Sequence, residues 1–252
     1  MSDETGMPPE PVYCLFSGGK DSFVAASVLQ DSNHLLGCIA IDTGIAVPEW
    51  QSAIMRICAQ QGWSLEIIPT SVRYEWLVWR YGFPGYLGHG SAMNYLKGRA
   101  IREFKRKYPG IALGSGARRA ESDRRAMTTK PVSDFEGVTV YAPIYEWETA
   151  RVWEYAKSHG YERPAVYSKL GISGDCLCGA FAKEFERDAL RVHYPDVDAR
   201  ISRCERIAHC PSRPWGWANR KQPRAKQGAE AFVCAECGDV EDTLREEGRG
   251  DE

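Results

Sequence analysis

The sequence predicts an α/β fold: a doubly wound, mainly parallel five-stranded sheet with helices on both faces, followed by a cysteine-containing helical and loop extension. Three observations carry this reading. Short apolar runs alternate with segments of helical periodicity over residues 12–158, the pattern of a parallel sheet covered on both faces. Three of the apolar runs end in polar, glycine-rich loops at 17–21, 42–44 and 114–119. In such sheets ligands bind beyond the carboxyl ends of the strands, so the three loops are expected to build one site. After Gly171 the composition shifts to Cys, Arg, Pro and Trp, which marks the extension.

In chain order, Val12-Tyr13-Cys14-Leu15-Phe16 reads as a buried strand ending in a Ser-Gly-Gly turn. Residues 21–30 are alanine-rich with helical spacing, so the turn opens a helix. Residues 35–41 form the second strand, and Pro48 suits the first turn of a helix reaching Gln61. Residues 65–68, 111–113 and 138–142 read as the third, fourth and fifth strands. Helices are expected over 71–81, 92–107, 148–158, 180–193 and 196–207, with a glycine-rich connection at 83–90 and a basic irregular loop at 211–228. The expected domains are a disordered N-terminus (1–10), a nucleotide-binding domain (11–170), an extension with metal-binding cysteines (171–238) and an acidic tail (239–252).

The hydrophobic fraction of 43% is enough for a sizeable core, and the formal charge of −2 gives the whole chain no nucleic-acid bias. The charge is uneven, however. Residues 97–130 hold eleven Lys/Arg against three Asp/Glu, residues 203–226 seven against one, and residues 236–252 eight acids against two bases. Such runs are either solvated faces or anion-binding surfaces. No apolar run is long enough to span a membrane, and residues 1–11 lack the apolar core of a signal peptide, so a cytoplasmic protein is expected.

Between a strand and a helix, Ser17-Gly18-Gly19-Lys20-Asp21-Ser22 places backbone N–H groups in one concave nest at a helix N-terminus. Gly18 and Gly19 allow close approach of an anion, Lys20 adds a cation, and Ser17 and Ser22 add hydroxyls. The combination predicts a polyphosphate site. It lacks the spacing of a Walker A loop.

This loop resembles the pyrophosphate loop of the adenine-nucleotide alpha-hydrolase superfamily. Asp42-Thr43-Gly44 with Pro48-Glu49, Leu96-Lys97, the set Gly116, Arg118, Glu121, Ser122 and Arg125, and Pro143-Ile144 with Trp147, Val152-Trp153 and Tyr155 resemble motifs of its phosphoadenosine-phosphosulfate (PAPS) reductase-like branch. The resemblance covers about residues 11–180. It implies an enzyme that acts on ATP or a related adenylyl nucleotide at the alpha-phosphate. Lys20, Asp21 and Arg118 are then the expected catalytic residues. Ser17, Gly18, Gly19, Lys20, Asp21, Ser22, Asp42, Gly116, Arg118 and Arg125 would bind the nucleotide. Asp21 is either a Mg²⁺ ligand or a helix cap. Arg118 and Arg125 are phosphate clamps or a solvated Arg-rich helix start. Asp42 bounds the adenosine pocket or serves a turn.

Of nine cysteines, Cys14, Cys38 and Cys58 lie in apolar runs and read as buried hydrophobes. Cys176-Leu177-Cys178 and Cys234-Ala235-Glu236-Cys237 supply four thiolates, enough for a 4Fe–4S cluster or a tetrahedral Zn²⁺ site. Cys204 and Cys210 are possible substitutes for one pair. Sequence order resembles the iron–sulfur adenylyl-sulfate reductases and the DNA-phosphorothioation ATP pyrophosphatases, although those reductases have adjacent cysteines where Cys176 and Cys178 are separated by Leu177.

The leading functional expectation is an ATP pyrophosphatase that activates an acceptor for sulfur incorporation, in DNA phosphorothioate modification. Its expected partners are DNA and a cysteine desulfurase with other sulfur-modification proteins, with no membrane and a homodimer left open. The two basic stretches and Trp215-Gly216-Trp217 would serve as phosphate contacts and a stacking surface. The runner-up is a PAPS or adenylyl-sulfate reductase, from which the chain departs by carrying Asp239-Val240 after Glu236-Cys237-Gly238, where the reductases carry Leu-His. A nucleotide-sensing subunit without turnover is the third reading.

Overall fold

The computed structural model describes residues 6–85, 89–122, 126–127, 129–208 and 216–219. They group into two compact units, Met1–Thr70 with Lys97–Cys176 and Ser71–Leu96 with Leu177–Glu252.

The first unit holds a six-stranded sheet of order β3-β2-β1-β4-β6-β5. Its strands are β1 (Val12–Leu15), β2 (Leu35–Asp42), β3 (Leu65–Pro69), β4 (Leu113–Gly114), β5 (Val132–Phe135) and β6 (Val138–Tyr141). All neighbouring pairs run parallel except β5 and β6. The order reverses between β1 and β4, which makes the gap beyond their carboxyl ends the topological switch point.

Helix α1 (Lys20–Asp31) covers one face: the side chain of its Leu29 lies where a β-carbon on Gly114 of β4 would sit, together with Val12 of β1. The other face is closed by α5 (Arg99–Lys107), whose Ala100, Ile101 and Phe104 form a core with Ile39, Ile68, Leu113, Val138 and Val140. Tyr13 and Leu15 of β1 lean on that second core, as the alternation of a strand requires. The other helices of this unit are α2 (Trp50–Gln61), α6 (Thr149–Ser158) and α7 (Val166–Leu170).

Two expectations change here. The sheet has a sixth strand, β5, which a hairpin through Glu136 and Gly137 folds back on β6; both turn residues adopt left-handed φ, 57° and 72°. Val132-Ser133-Asp134-Phe135 has too little apolar content to read as a strand by itself, and pairing supplies what its composition lacks. The helix expected over 92–107 is not continuous: α4 (His89–Met93) passes through a π-helical turn, Asn94–Gly98, before α5.

The second unit contains α3 (Tyr74–Tyr81), α4, α8 (Glu184–His193) and α9 (Pro195–Ile207). Helix α8 starts four residues later than its periodicity suggests, because residues 180–183 are held as a turn and an extended N-cap. Among the described residues no helix is long and apolar enough to cross a membrane.

Candidate functional site

The loop after β1 is built as the glycine spacing predicts. Gly18 has φ +83°, and a β-carbon there would lie 2.8 Å from the Ile54 methyl. Gly19 ends the loop in extended geometry and caps α1 with no side-chain hydrogen bond. The first i→i−4 bond of α1 comes from Phe23 N–H to the Gly19 carbonyl at 2.9 Å. The N–H groups of Lys20, Asp21 and Ser22 precede it, where a helix leaves its donors to a ligand. The hydroxyl of Ser22 donates to the Gly19 carbonyl at 2.9 Å and accepts from Ser17 N–H at 3.3 Å, so it braces the loop from inside. Two outside donors fix the carbonyls: the Trp50 indole N–H reaches Ser17 O at 2.9 Å, and the Tyr161 hydroxyl reaches Gly18 O at 2.9 Å. With those oxygens engaged, the concave side of the loop is left electropositive.

The loop after β4 clasps this nest from the other side of the switch point. A β-carbon on Gly116 would lie 2.5 Å from the Asp21 carbonyl carbon and 2.6 Å from both Asp21 O and Ser22 N. Only glycine allows that approach. Two residues on, Arg118 is 1% exposed and donates from Nε to Asp21 Oδ1 at 2.6 Å and from Nη1 to the Trp147 carbonyl at 3.0 Å. Asp21 Oδ2 in turn receives Lys20 Nζ at 2.5 Å. Asp21 thus accepts from both Lys20 and Arg118 and holds them in fixed relation. Arg118 acts in this geometry as the buried anchor of Asp21. Arg125 lies outside the described residues.

Asp42 accepts Gly44 N–H at 2.8 Å, which makes it the turn residue that organises 42–44. The next residue, Thr43, is fully buried and donates to the Asp175 carbonyl at 3.1 Å. Asp175 belongs to a segment that sequence reasoning did not assign to the site. Its carboxylate takes the Ser173 hydroxyl at 2.5 Å and Lys97 at 3.4 Å, while Gly174 O accepts Val47 N–H at 2.9 Å. Tyr167 stands beside the loop, its hydroxyl 2.9 Å from the point a Gly19 β-carbon would occupy. Burial, then the carboxylates of Asp175 and Asp21, push its phenol up to about 12. Tyr161 is also raised, first by burial, so both phenols stay protonated donors at neutral pH. The available signal was the Ser-Gly-Asp turn directly before Cys176.

The cysteines divide as expected where they are described. Cys14, Cys38 and Cys58 are core residues, and burial, then the neighbouring Cys58, push the Cys14 thiol up to about 12. Cys204 is equally buried in α9, its thiol pushed up to about 12 by burial and then by the Glu75 carboxylate. Among the described residues no three His, Cys, Asp or Glu gather as a metal site. Cys210, Cys234 and Cys237 lie outside the described residues.

In the second unit the backbone around Cys178 is pinned. Tyr74 donates to Cys178 O at 2.9 Å, and the Trp217 indole donates to Leu177 O at 2.7 Å. The Trp217 ring lies against Gly179, where a β-carbon would come within 2.5 Å of it. Arg187 sits under the ring at 5.7 Å and binds Asp198 and Glu205, and Glu205 also accepts Trp217 N–H at 3.3 Å. Trp217 is 1% exposed. It is therefore a core anchor rather than the stacking surface its Trp-Gly-Trp context suggested, because its one polar atom already has a buried acceptor. Trp215 lies outside the described residues.

Residues 11–222 match the family described as phosphoadenosine phosphosulfate reductase domain. A 37.8 kDa protein of Escherichia phage 186 is 27% identical over 160 residues, which cover 60% of this chain and 48% of that protein. The phosphoadenosine 5′-phosphosulfate reductase of Sodalis glossinidius is 26% identical over 156 residues, covering 60% of this chain and 63% of its own length. The chain thus spans less than two thirds of the curated relatives it matches. Among solved structures, the PAPS reductase of Candida auris is similar at a TM-score of 0.47 and 16% identity, over 64% of this chain and 78% of that one. The family match extends over most of the chain and takes in every loop of the site: the chain belongs to the phosphoadenosine phosphosulfate reductase domain family.

Proposed function

We propose that this chain is an ATP pyrophosphatase: it cleaves ATP to AMP and pyrophosphate so as to activate an acceptor for sulfur incorporation, with DNA phosphorothioate modification as the pathway. The observation that carries the reading is the nest of residues 17–22 at the switch point, with Lys20 held by Asp21 and Arg118. When an acceptor oxygen attacks the alpha-phosphorus, the bond to the alpha–beta bridging oxygen breaks, pyrophosphate leaves with its charge and the acceptor is left esterified to AMP; AMP is the leaving group when the sulfur nucleophile, or water in its absence, displaces it. Fixed N–H donors and an oriented ammonium stabilise that growing charge without reorganisation. Buried Arg118 keeps Asp21, and hence Lys20, from turning away. A cysteine desulfurase is the expected sulfur source, and nucleic acid the expected acceptor.

The second reading, a PAPS or adenylyl-sulfate reductase, is favoured by the family match and the Sodalis relative. Against it stands Cys237, followed by Gly238-Asp239-Val240 and only three residues from Cys234. One assay separates the two. Anaerobically purified protein is given ATP in one reaction and PAPS with a thiol donor in another. Pyrophosphate from ATP and no sulfite from PAPS is the expected result; sulfite without pyrophosphate would establish the reductase, and neither product would leave a nucleotide-sensing subunit.

Cys176, Cys178, Cys234 and Cys237 would hold a 4Fe–4S cluster, or Zn²⁺ as the alternative, and a bound cluster would supply a sulfur-handling centre. Trp217 packs on Gly179 and donates to the Leu177 carbonyl beside Cys178. Anaerobic protein is expected to be brown and to contain iron, and Cys178→Ser to lose most of it. Metal analysis that finds neither iron nor zinc in the wild-type protein would remove the cluster, and full retention in Cys234→Ser would exclude that ligand set.

A further inference from the structure

Among the described residues, Arg163 is a cation beside the phosphate loop that has no carboxylate partner. Lys20 and Arg118 are paired with Asp21, Lys97 with Asp175, and Lys169 with Glu49. Arg163 is exposed and makes no ion pair among the described residues; its guanidinium instead lies 4.5 Å from the Trp153 ring and 5.7 Å from the Tyr167 ring. Both rings belong to the wall of the loop. Trp153 has Lys20 Nζ at 5.8 Å from its centre and Tyr161 at 6.4 Å, and Tyr161 donates to Gly18 O. Tyr167 carries its hydroxyl to Gly19.

An exposed arginine ordinarily spends rotamer entropy on every contact it makes. Contact with two rings removes much of that freedom beforehand, and the guanidinium N–H groups remain available to an oxygen ligand. A guanidinium so held, without a carboxylate among the described residues and against the same Trp153 ring that Lys20 approaches, is an anion-binding position. The oxygens of a phosphodiester match its fork of donors.

We propose that Arg163, stacked on Trp153 and Tyr167 beside the phosphate loop, is the docking cation for a backbone phosphate of a nucleic-acid acceptor. This rests on the acceptor reading above. It places the acceptor on the Trp153 side of the loop and gives a role to a residue that none of the motifs includes.

The test uses the full chain and a short fluorescein-labelled single-stranded DNA, followed by anisotropy over a range of salt. Arg163→Ala is expected to weaken binding by about tenfold, the cost of one charge-assisted phosphate contact, and to make the salt slope shallower by about one. Arg163→Lys should restore the slope but not the full affinity, since an ammonium cannot stack as a guanidinium does. Arg191→Ala, an equal charge change at an exposed residue paired with Asp188, should bind as the wild type does. Absent DNA binding by the wild type, or equal affinities for wild type and Arg163→Ala, would overturn the assignment. So would a loss confined to adenosine 3′,5′-bisphosphate, which would put a small nucleotide's phosphate on Arg163. ATP affinity of the wild type, titrated in the same buffer, reports on the nucleotide site separately, so either reading can fail without the other.

Discussion

Gly116→Ala is expected to lower ATP affinity by about a hundredfold or more, the scale of loss that misplacement of a preorganised site produces. The added β-carbon meets backbone, not the far end of a flexible side chain: the Asp21 carbonyl group and Ser22 N all lie within 2.6 Å of it. The clash is relieved only by moving the first turn of α1 away from β4, which takes Lys20 and the loop N–H groups with it. Gly90→Ala provides the comparison, since nothing lies within 4 Å of a β-carbon there and its φ is not left-handed. Titration calorimetry with ATP on both variants checks this. Wild-type affinity in a folded Gly116→Ala protein would contradict the clasp between the two loops.

The second large effect is expected for Asp21→Asn, which keeps the shape of the side chain and removes its charge. Arg118 is then a buried cation that has lost its carboxylate and keeps only neutral oxygens, from Trp147 at 3.0 Å and Thr149 at 3.4 Å. Breaking such a pair from one side costs about 2–3 kcal/mol, at the lower end for buried pairs because Asp21 is partly exposed. For a chain of this size that lowers the melting temperature by roughly 5–10 °C. Turnover should suffer more, falling by about a hundredfold, because Lys20 is no longer oriented toward the leaving group. Differential scanning calorimetry and pyrophosphate release measure the two effects, and a variant that melts and turns over like the wild type would refute the assigned role of Asp21. Asp21→Asn combined with Arg118→Met should recover stability without recovering turnover.

The parts of the fold legible in the sequence are those governed by local periodicity. Residues 12–16, 35–41 and 65–68 are apolar runs bounded by turn residues, and each became a parallel strand. Strand β5 was not legible because its stability comes from pairing with β6, a contact that Ser133 and Asp134 do not advertise. The π-helical turn at Asn94–Gly98 likewise interrupts a helix whose residues satisfy ordinary helical spacing. For the site, the nest could be read because glycines, lysine and serines are required in consecutive positions. Asp175, Tyr161, Tyr167 and Arg163 reach it through tertiary contacts from residues far along the chain, and no short-range pattern records such contacts. Trp217 shows the converse: its neighbours suggested an exposed stacking residue, while Leu177, Gly179 and Arg187 bury it.

The central claim is that bond cleavage occurs at the alpha-phosphate of a nucleotide whose terminal phosphates lie in the nest of residues 17–22. Two ATP analogues test it most directly. With the beta–gamma bridge replaced by NH, the alpha–beta bond is still available, and the protein is expected to release AMP and imidodiphosphate. With the alpha–beta bridge replaced by CH₂, binding should persist and no AMP should form. Cleavage of the alpha–beta methylene analogue to release inorganic phosphate, with the beta–gamma imido analogue left intact, would place the chemistry at the gamma-phosphate and contradict the account.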